Sequence, residues 1–172
     1  SAHWRIQSPQ LSWAASRGML LERLAKAGMP LERVHLVGRQ SFEEYLSSHA
    51  EVDLLLDTFP YPGGTTTLES LWMGVPTLTL ATPGMLHRQG QALLSAANMD
   101  PFWICHSQAD YIQRARQLAH APQWPALQTL RQQLRQQLAA SPAFNSAQYA
   151  ANCLTLLRQI WQQACTTRPW GA

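Results

Sequence analysis

The chain has 172 residues, of which 46% are hydrophobic and 13% are charged, and its formal net charge is +3. These values predict a globular domain with a core of its own, and the small charge without a basic stripe speaks against nucleic acid as a partner. Three cysteines without a CxxC spacing, no signal peptide and no apolar run of about 20 residues predict a cytoplasmic protein with no disulfide, metal site or membrane span.

From the start of the chain, short apolar runs alternate with helical patterns. The first predicted elements are a strand at 3–7, a helix at 11–27, a strand at 33–38 and a helix from Ser41. Glu44, three residues after Ser41, completes a capping box at this helix start. The apolar run VDLLLD at 52–57 follows, and a continuous run of this kind is typical of a strand buried on both faces.

The alternation continues to about residue 120, and the rest of the chain is helical. The later predicted elements are a helix at 65–73 ended by Gly74, a strand at 75–80, a helix at 87–97, a strand at 102–106, a helix capped by Ser107 with Asp110, a helix from Pro125 and a final helix with an apolar face between 150 and 164. Buried strands that alternate with helices predict an α/β fold, with a Rossmann-like parallel sheet and helices on both faces.

The segment TFPYPGGTTTLES, at 58–70, lies between the predicted buried strand and the next helix. Gly63 and Gly64 let the backbone turn sharply and approach a ligand closely. The helix that follows presents free N–H groups and a partial positive charge at its first turn, where Thr65 and Thr66 add hydroxyl donors. These features favour an anion site at the carboxyl end of a strand. Glu69 is then placed to accept hydrogen bonds from ribose hydroxyls.

A purely structural interpretation of the same segment is equally simple. Thr66 and Glu69 have the spacing of a capping box, and two glycines after Pro62 make an ordinary turn. The spacing alone leaves both interpretations open. The segment is not a P-loop, because it has no GxxxxGK[ST] pattern.

The segment LLLDTFPYPGGTTTLESLWMGVPTLTL, at 54–80, resembles the signature of the protein O-linked N-acetylglucosamine transferase and SPINDLY-like family. The resemblance continues through LHRQGQALL and SPAFNSAQY and covers roughly residues 33–165. It implies the GT-B fold, in which two Rossmann-like lobes hold a UDP-sugar donor between them, and this chain is similar to the second, nucleotide-binding lobe. The family transfers the sugar to protein side chains with β linkage, and no metal cofactor is implied.

Family roles transfer to individual positions of this chain. Thr65 and Thr66 match phosphate-binding threonines, and Glu69 matches the acidic residue that holds the ribose. Gly64, after Gly63, stands where some members have a histidine that contacts the donor. The family also has an arginine at the position of Arg88, and the resemblance implies that Arg88 binds the sugar or the diphosphate.

Two positions depart from the family pattern. Tyr45 stands where the family has a histidine over the donor, and Phe42 replaces a basic residue of some members. We expect Tyr45 to stack on uracil or to donate a hydrogen bond. The alternative is that Tyr45 is an ordinary residue of an amphipathic helix.

Several family features have no counterpart in this sequence, including a donor-binding lysine near the start of the lobe, the first lobe and the helical repeats. We therefore predict an N-terminally incomplete UDP-sugar-binding lobe at 1–141 and a helical segment at 142–172 that packs on the lobe and towards the first lobe. Catalytic residues and the acceptor site are expected in the first lobe, so the chain alone is expected to be inactive. The alternative is a non-catalytic nucleotide-binding or interaction domain derived from such an enzyme.

The final helix presents a long apolar face that includes Leu157 and Trp161, and Trp170 follows it. We expect part of this face to cover the lobe's own sheet, because an amphipathic helix is stable chiefly through packing. The far end needs another partner. We expect that partner to be the first lobe, or a second copy bound through residues 157–170.

Overall fold

A computed structural model describes residues 2–167 of the chain. Five strands alternate with helices in its first two thirds, and the last third is helical. The elements are β1 (Trp4–Gln7), α1 (Ala14–Lys26), β2 (Val34–Val37), α2 (Phe42–Ser47), β3 (Leu55–Leu56), α3 (Thr65–Trp72), β4 (Thr77–Leu80), α4 (Gln89–Ala96), β5 (Ile104–Cys105), α5 (Gln108–Leu118), α6 (Trp124–Ala139) and α7 (Ser146–Thr167). The predicted order of strands and helices is confirmed.

All strand pairs in the described residues are parallel. Strand β1 pairs with β2, and β3, β4 and β5 lie side by side in that order. The strands of the described chain thus form a two-stranded and a three-stranded sheet, rather than one continuous sheet. In parallel strands the carboxyl ends meet at one edge, so the loops after β3 and β4 lie on the same side of the molecule.

The most buried strand is β4, and not the run 52–57 that the sequence indicated. All four residues of β4 are buried, whereas β3 has two residues that are both half-buried. The reason is position, since β4 lies between β3 and β5 and also contacts α3, α4 and α5. The prediction of a strand buried on both faces at 52–57 is therefore wrong.

The hydrophobic core surrounds β4. It is formed by side chains from the strand and from the helices on both sides of it. The largest fully buried apolar members are Leu71, Val75, Leu78, Leu94, Leu134 and Leu138. Burial of each such side chain contributes roughly 1.5–3 kcal/mol, so this core fixes the position of the loops at the edge of the sheet.

Local capping signals in the sequence are confirmed at two helices. The Ser41 hydroxyl accepts from the Glu44 N–H, and the Glu44 carboxylate accepts from the Ser41 N–H at 2.8 Å, which completes the capping box of α2. At α5, the Ser107 hydroxyl accepts from the Asp110 N–H. Because these bonds join residues three apart, they follow from sequence spacing alone.

Helix α7 differs from its prediction. Residues 146–164 are all exposed, and the helix contacts the rest of the described chain mainly at the turn Pro142–Phe144. The prediction that part of its apolar face covers the lobe's own sheet is wrong for these residues, and β4 is instead covered by α3, α4 and α5. Trp170 lies outside the described residues. Among the described helices, none is long and apolar enough to cross a membrane.

Candidate functional site

The N-terminus of α3 is not capped by a side chain. Its N-cap is Gly64, and the first intrahelical bonds run from the N–H groups of Thr67 and Leu68 to the Gly64 carbonyl. The capping box between Thr66 and Glu69 is therefore absent, and the purely structural interpretation of that pair is wrong. Within the described chain, the N–H groups of Thr65 and Thr66 remain without an acceptor, as expected at a helix start.

Both threonines of the first turn face outwards. Thr65 and Thr66 are exposed, and no hydrogen bond within the described chain occupies either hydroxyl. Their hydroxyls and N–H groups lie together at the positive end of the α3 dipole. This group of donors can hold an anion such as a phosphate.

Gly63 is required by the close packing of the turn. A Cβ atom at this position would lie 2.7 Å from Thr67 Oγ1 and 2.8 Å from Thr66 Oγ1. At Gly64 a Cβ atom would lie 2.6 Å from Nε2 of Gln89, which is the end of a flexible side chain that can move aside. Gly63 thus allows the turn to pack under the threonines, and Gly64 lies against α4.

A buried carboxylate lies directly behind the turn. Asp57 is 5% exposed, and its Oδ1 accepts from the Gly63 N–H at 2.7 Å. Its Oδ2 accepts from the Thr79 hydroxyl at 2.7 Å, and its backbone carbonyl accepts from the Tyr111 hydroxyl at 2.8 Å. Burial raises the pKa of the Asp57 carboxyl, although the hydrogen bonds from Gly63, Thr79 and Thr58 oppose that shift. No motif in the sequence marks Asp57 as a site residue.

Two predicted site residues are brought into contact by α2 and α3. The Tyr45 phenol lies near the Glu69 carboxylate. Burial, the charge of Glu69 and hydrogen bonding towards it raise the pKa of Tyr45 to about 12, so the phenol keeps its proton at neutral pH and can donate it. Glu69 lies four residues after Thr65, which places it on the same face of α3. The Tyr45–Glu69 pair therefore adjoins the turn.

Arg88 lies at the start of α4, at the same edge of the sheet. Its side chain is exposed, and its Nε donates to the Gly84 carbonyl at 3.3 Å. The next residue, Gln89, places its amide against Gly64, which brings the start of α4 next to the turn. Sequence reasoning missed Gln89, because a glutamine in a helical pattern has no distinguishing signal.

The structure thus brings together Gly63, Gly64, Thr65 and Thr66, joins Tyr45 to Glu69, and places Arg88 beside a residue that contacts the turn. Among the described residues, no group of three or more His, Cys, Asp or Glu side chains is arranged to hold a metal ion. The ligand roles of these residues stay predictions. The arrangement offers donors for an anion and a carboxylate for sugar hydroxyls.

This chain is similar in sequence and in fold to known proteins. The profile of glycosyl transferase family 41 matches residues 4–153. The probable UDP-N-acetylglucosamine–peptide N-acetylglucosaminyltransferase SPINDLY of Petunia hybrida is 33% identical over 150 residues, which are 87% of this chain and 16% of that protein. The SPINDLY protein of Arabidopsis thaliana has the same identity and coverage.

A solved structure shows the same fold. The structure of a mutant O-GlcNAc transferase from Thermobaculum terrenum superposes with a TM-score of 0.86 at 31% identity, and covers 96% of this chain and 31% of that one. The predicted α/β, Rossmann-like fold of a GT-B lobe is confirmed. This chain spans 16% of the length of its SPINDLY relatives. The family match over residues 4–153 shows that the chain belongs to glycosyltransferase family 41.

Proposed function

We propose that this chain is the UDP-sugar-binding lobe of a protein glycosyltransferase. The observation that supports this most directly is the uncapped N-terminus of α3, where unpaired N–H groups and two exposed threonine hydroxyls meet at the carboxyl end of a strand. Several relatives are named as UDP-N-acetylglucosamine–peptide N-acetylglucosaminyltransferases, which favours N-acetylglucosamine as the sugar and a protein as the acceptor.

Each group of the donor is assigned to a part of the site. The diphosphate would bind the N–H groups and hydroxyls of Thr65 and Thr66, and the ribose hydroxyls would donate to the Glu69 carboxylate. Tyr45, which lies near Glu69, would place its ring beside the uracil. Arg88 would approach the diphosphate or the sugar from the start of α4.

The chemistry that follows from this assignment concerns the leaving group. Transfer of the sugar leaves negative charge on UDP, and donors already aimed at the diphosphate would stabilise that charge without a metal ion. The base that activates the acceptor would come from a first lobe of the same enzyme. We also propose a cytoplasmic location, since three cysteines without a metal or disulfide pattern suit a reducing compartment.

Calorimetric titration of the chain with UDP and with uridine tests the phosphate site. UDP should bind at least about tenfold more tightly than uridine, because hydrogen bonds to charged groups contribute about 1.5–3 kcal/mol each. Addition of EDTA or Mg²⁺ should leave the UDP affinity unchanged. Replacement of both threonines, Thr65→Val with Thr66→Val, should reduce the affinity for UDP and not that for uridine.

The matched control is Thr129→Val, which changes an exposed threonine within α6. This variant should bind UDP as the unmodified chain does. Equal affinity of the unmodified chain for UDP and uridine would contradict the proposed phosphate site. A requirement for Mg²⁺ would contradict the metal-free assignment alone.

A further inference from the structure

Asp57 is enclosed by groups from four parts of the lobe. The turn donates the Gly63 N–H to one carboxylate oxygen, and β4 donates the Thr79 hydroxyl to the other. Helix α5 donates the Tyr111 hydroxyl to the Asp57 carbonyl. Because the Asp57 carboxylate is only 5% exposed within this shell, it does not itself contact a bound UDP-sugar.

Helix α4 closes the shell on its remaining side. Gly90 is buried, and a Cβ atom there would overlap Thr79 Oγ1 and lie 2.6 Å from Asp57 Oδ2. Glycine is therefore needed for α4 to pack on the Asp57–Thr79 pair. The neighbouring Gln89 lies against Gly64, so the same helix contacts both the carboxylate and the turn.

Burial of a charged carboxylate destabilises the folded protein, because the carboxylate loses its hydration. The raised pKa of Asp57 shows that its hydrogen bonds do not fully compensate for this loss. An apolar side chain would avoid the cost, but it would leave both the Gly63 N–H and the Thr79 hydroxyl without an acceptor. What the carboxylate provides here is two strong acceptor atoms in one fixed position.

We propose that Asp57 is a positioning residue, which fixes the backbone at Gly63 and so holds Thr65 and Thr66 in the geometry that binds a diphosphate. The role in binding rests on the proposed function, whereas the anchoring of Gly63 does not. The Thr79 hydroxyl acts through Asp57, because it holds the second carboxylate oxygen and thereby the orientation of the first.

The test uses Thr79→Val and Thr77→Val in the 172-residue chain. The two threonines are buried on the same face of β4, two residues apart. Thr79 donates to Asp57, whereas the Thr77 hydroxyl is without a hydrogen-bond partner in the described chain. The two variants thus make the same chemical change at equal burial, and only one of them releases Asp57.

Two measurements are made on each variant, hydrogen exchange of the Gly63 amide by NMR and titration with UDP and uridine. Thr79→Val should speed exchange at Gly63 and weaken UDP binding by about three- to tenfold, with uridine binding unchanged. Thr77→Val should change none of these values, and Thr79→Ser, which keeps the hydroxyl, should restore them. Asp57→Ala should have a larger effect than Thr79→Val if it folds.

The outcomes separate the two proposals. Unchanged Gly63 exchange in Thr79→Val, or the same change in Thr77→Val, would overturn the role of Asp57, even if UDP still binds more tightly than uridine. Equal weakening of UDP and uridine would show general damage and would also overturn it. Faster Gly63 exchange in a chain that never prefers UDP would confirm the anchor and contradict the proposed function together with the role of Asp57 in binding.

Discussion

Tyr45 and Glu69 lie next to each other, and each affects how the other can bind a ligand. The protonated phenol of Tyr45 lies near the Glu69 carboxylate, and a carboxylate has enough lone pairs to accept from both Tyr45 and a ligand. A histidine at position 45 would titrate near neutral pH, whereas the phenol, with a pKa of about 12, does not. Tyrosine can therefore replace histidine as a hydrogen-bond donor at this position.

Glu69→Gln should weaken binding of UDP and uridine alike, by about tenfold, because both ligands contain the ribose and the charged acceptor is lost. The free energy of unfolding should change by less than about 1 kcal/mol, since Glu69 is not the partner of a helix cap. Titration and denaturant unfolding of the same variant measure both quantities. This pattern differs from that of the threonine variants, which should affect UDP alone.

Glu43→Gln is the control, because Glu43 is an exposed acid in the first turn of the neighbouring helix α2. It makes the same chemical change and should leave both affinities unaltered. A Glu69→Gln variant that loses stability but keeps its affinity for both ligands would disprove the assignment of the ribose site.

At the residue scale, contacts within one short motif could be predicted from the sequence. Contacts between residues far apart in the sequence could not. The turn and Glu69 lie within one short segment, so their proximity could be predicted. Asp57 could not be recognised, because Thr79 is 22 residues away and Tyr111 is 54 residues away. An aspartate at the end of a strand has no sequence feature that indicates which distant residues will bind it.

At the scale of elements, the junction between α3 and β4 depends on one glycine. Gly74 ends α3 with φ of +79°, a left-handed conformation that glycine adopts without strain. A Cβ atom there would lie 2.9 Å from the carbonyl oxygen of Arg131 in α6. The Arg131 side chain returns to donate from Nε to the Gly74 carbonyl at 3.2 Å, so this junction also positions α6.

Gly74→Ala should therefore lower the free energy of unfolding by about 2–4 kcal/mol, from left-handed strain of about 1–2 kcal/mol and from the clash with α6. Gly28→Ala is the matched control, since Gly28 has φ of +76° but open space around its Cβ position. This control should lose only the strain, about 1–2 kcal/mol. Denaturant unfolding measures both, and equal losses would contradict a steric contribution from α6.

Elements were predicted well where their ends are set by local chemistry. The capping box of Ser41 and Glu44 and the glycine stop at Gly74 act within a few residues, and the structure confirms each. The length of β3 was not predictable, because it depends on pairing with β4 over two residues only. An apolar run shows that a segment is suited to burial, but not how far its neighbours extend.

At the scale of the whole molecule, a large apolar surface exposed among residues 2–167 is the face of α7 that carries Leu154, Leu157, Ile160 and Trp161. Leu157, Ile160 and Trp161 are 56%, 54% and 62% exposed, with Leu154 and Leu156 beside them. Most of the stability of a helix within a protein comes from packing of its apolar face, and this face of α7 has no such packing within the described residues. Under the proposed function, this face would pack on the first lobe of the glycosyltransferase.

Without that lobe, the 172-residue chain should self-associate through this face. Burial of each large side chain contributes roughly 1.5–3 kcal/mol, and two copies would bury several at once. Sedimentation velocity should show a concentration-dependent dimer. The double variant Leu157→Glu with Trp161→Glu should sediment as a monomer, since it places charges at the centre of the contact.

The matched control adds the same two charges away from the apolar face, as Gln159→Glu with Gln162→Glu. It should still form the dimer, which would show that net charge is not the cause of dissociation. If the unmodified chain is a monomer at all concentrations, self-association is disproved. If both double variants dissociate equally, repulsion between charges rather than loss of apolar contact would explain the result.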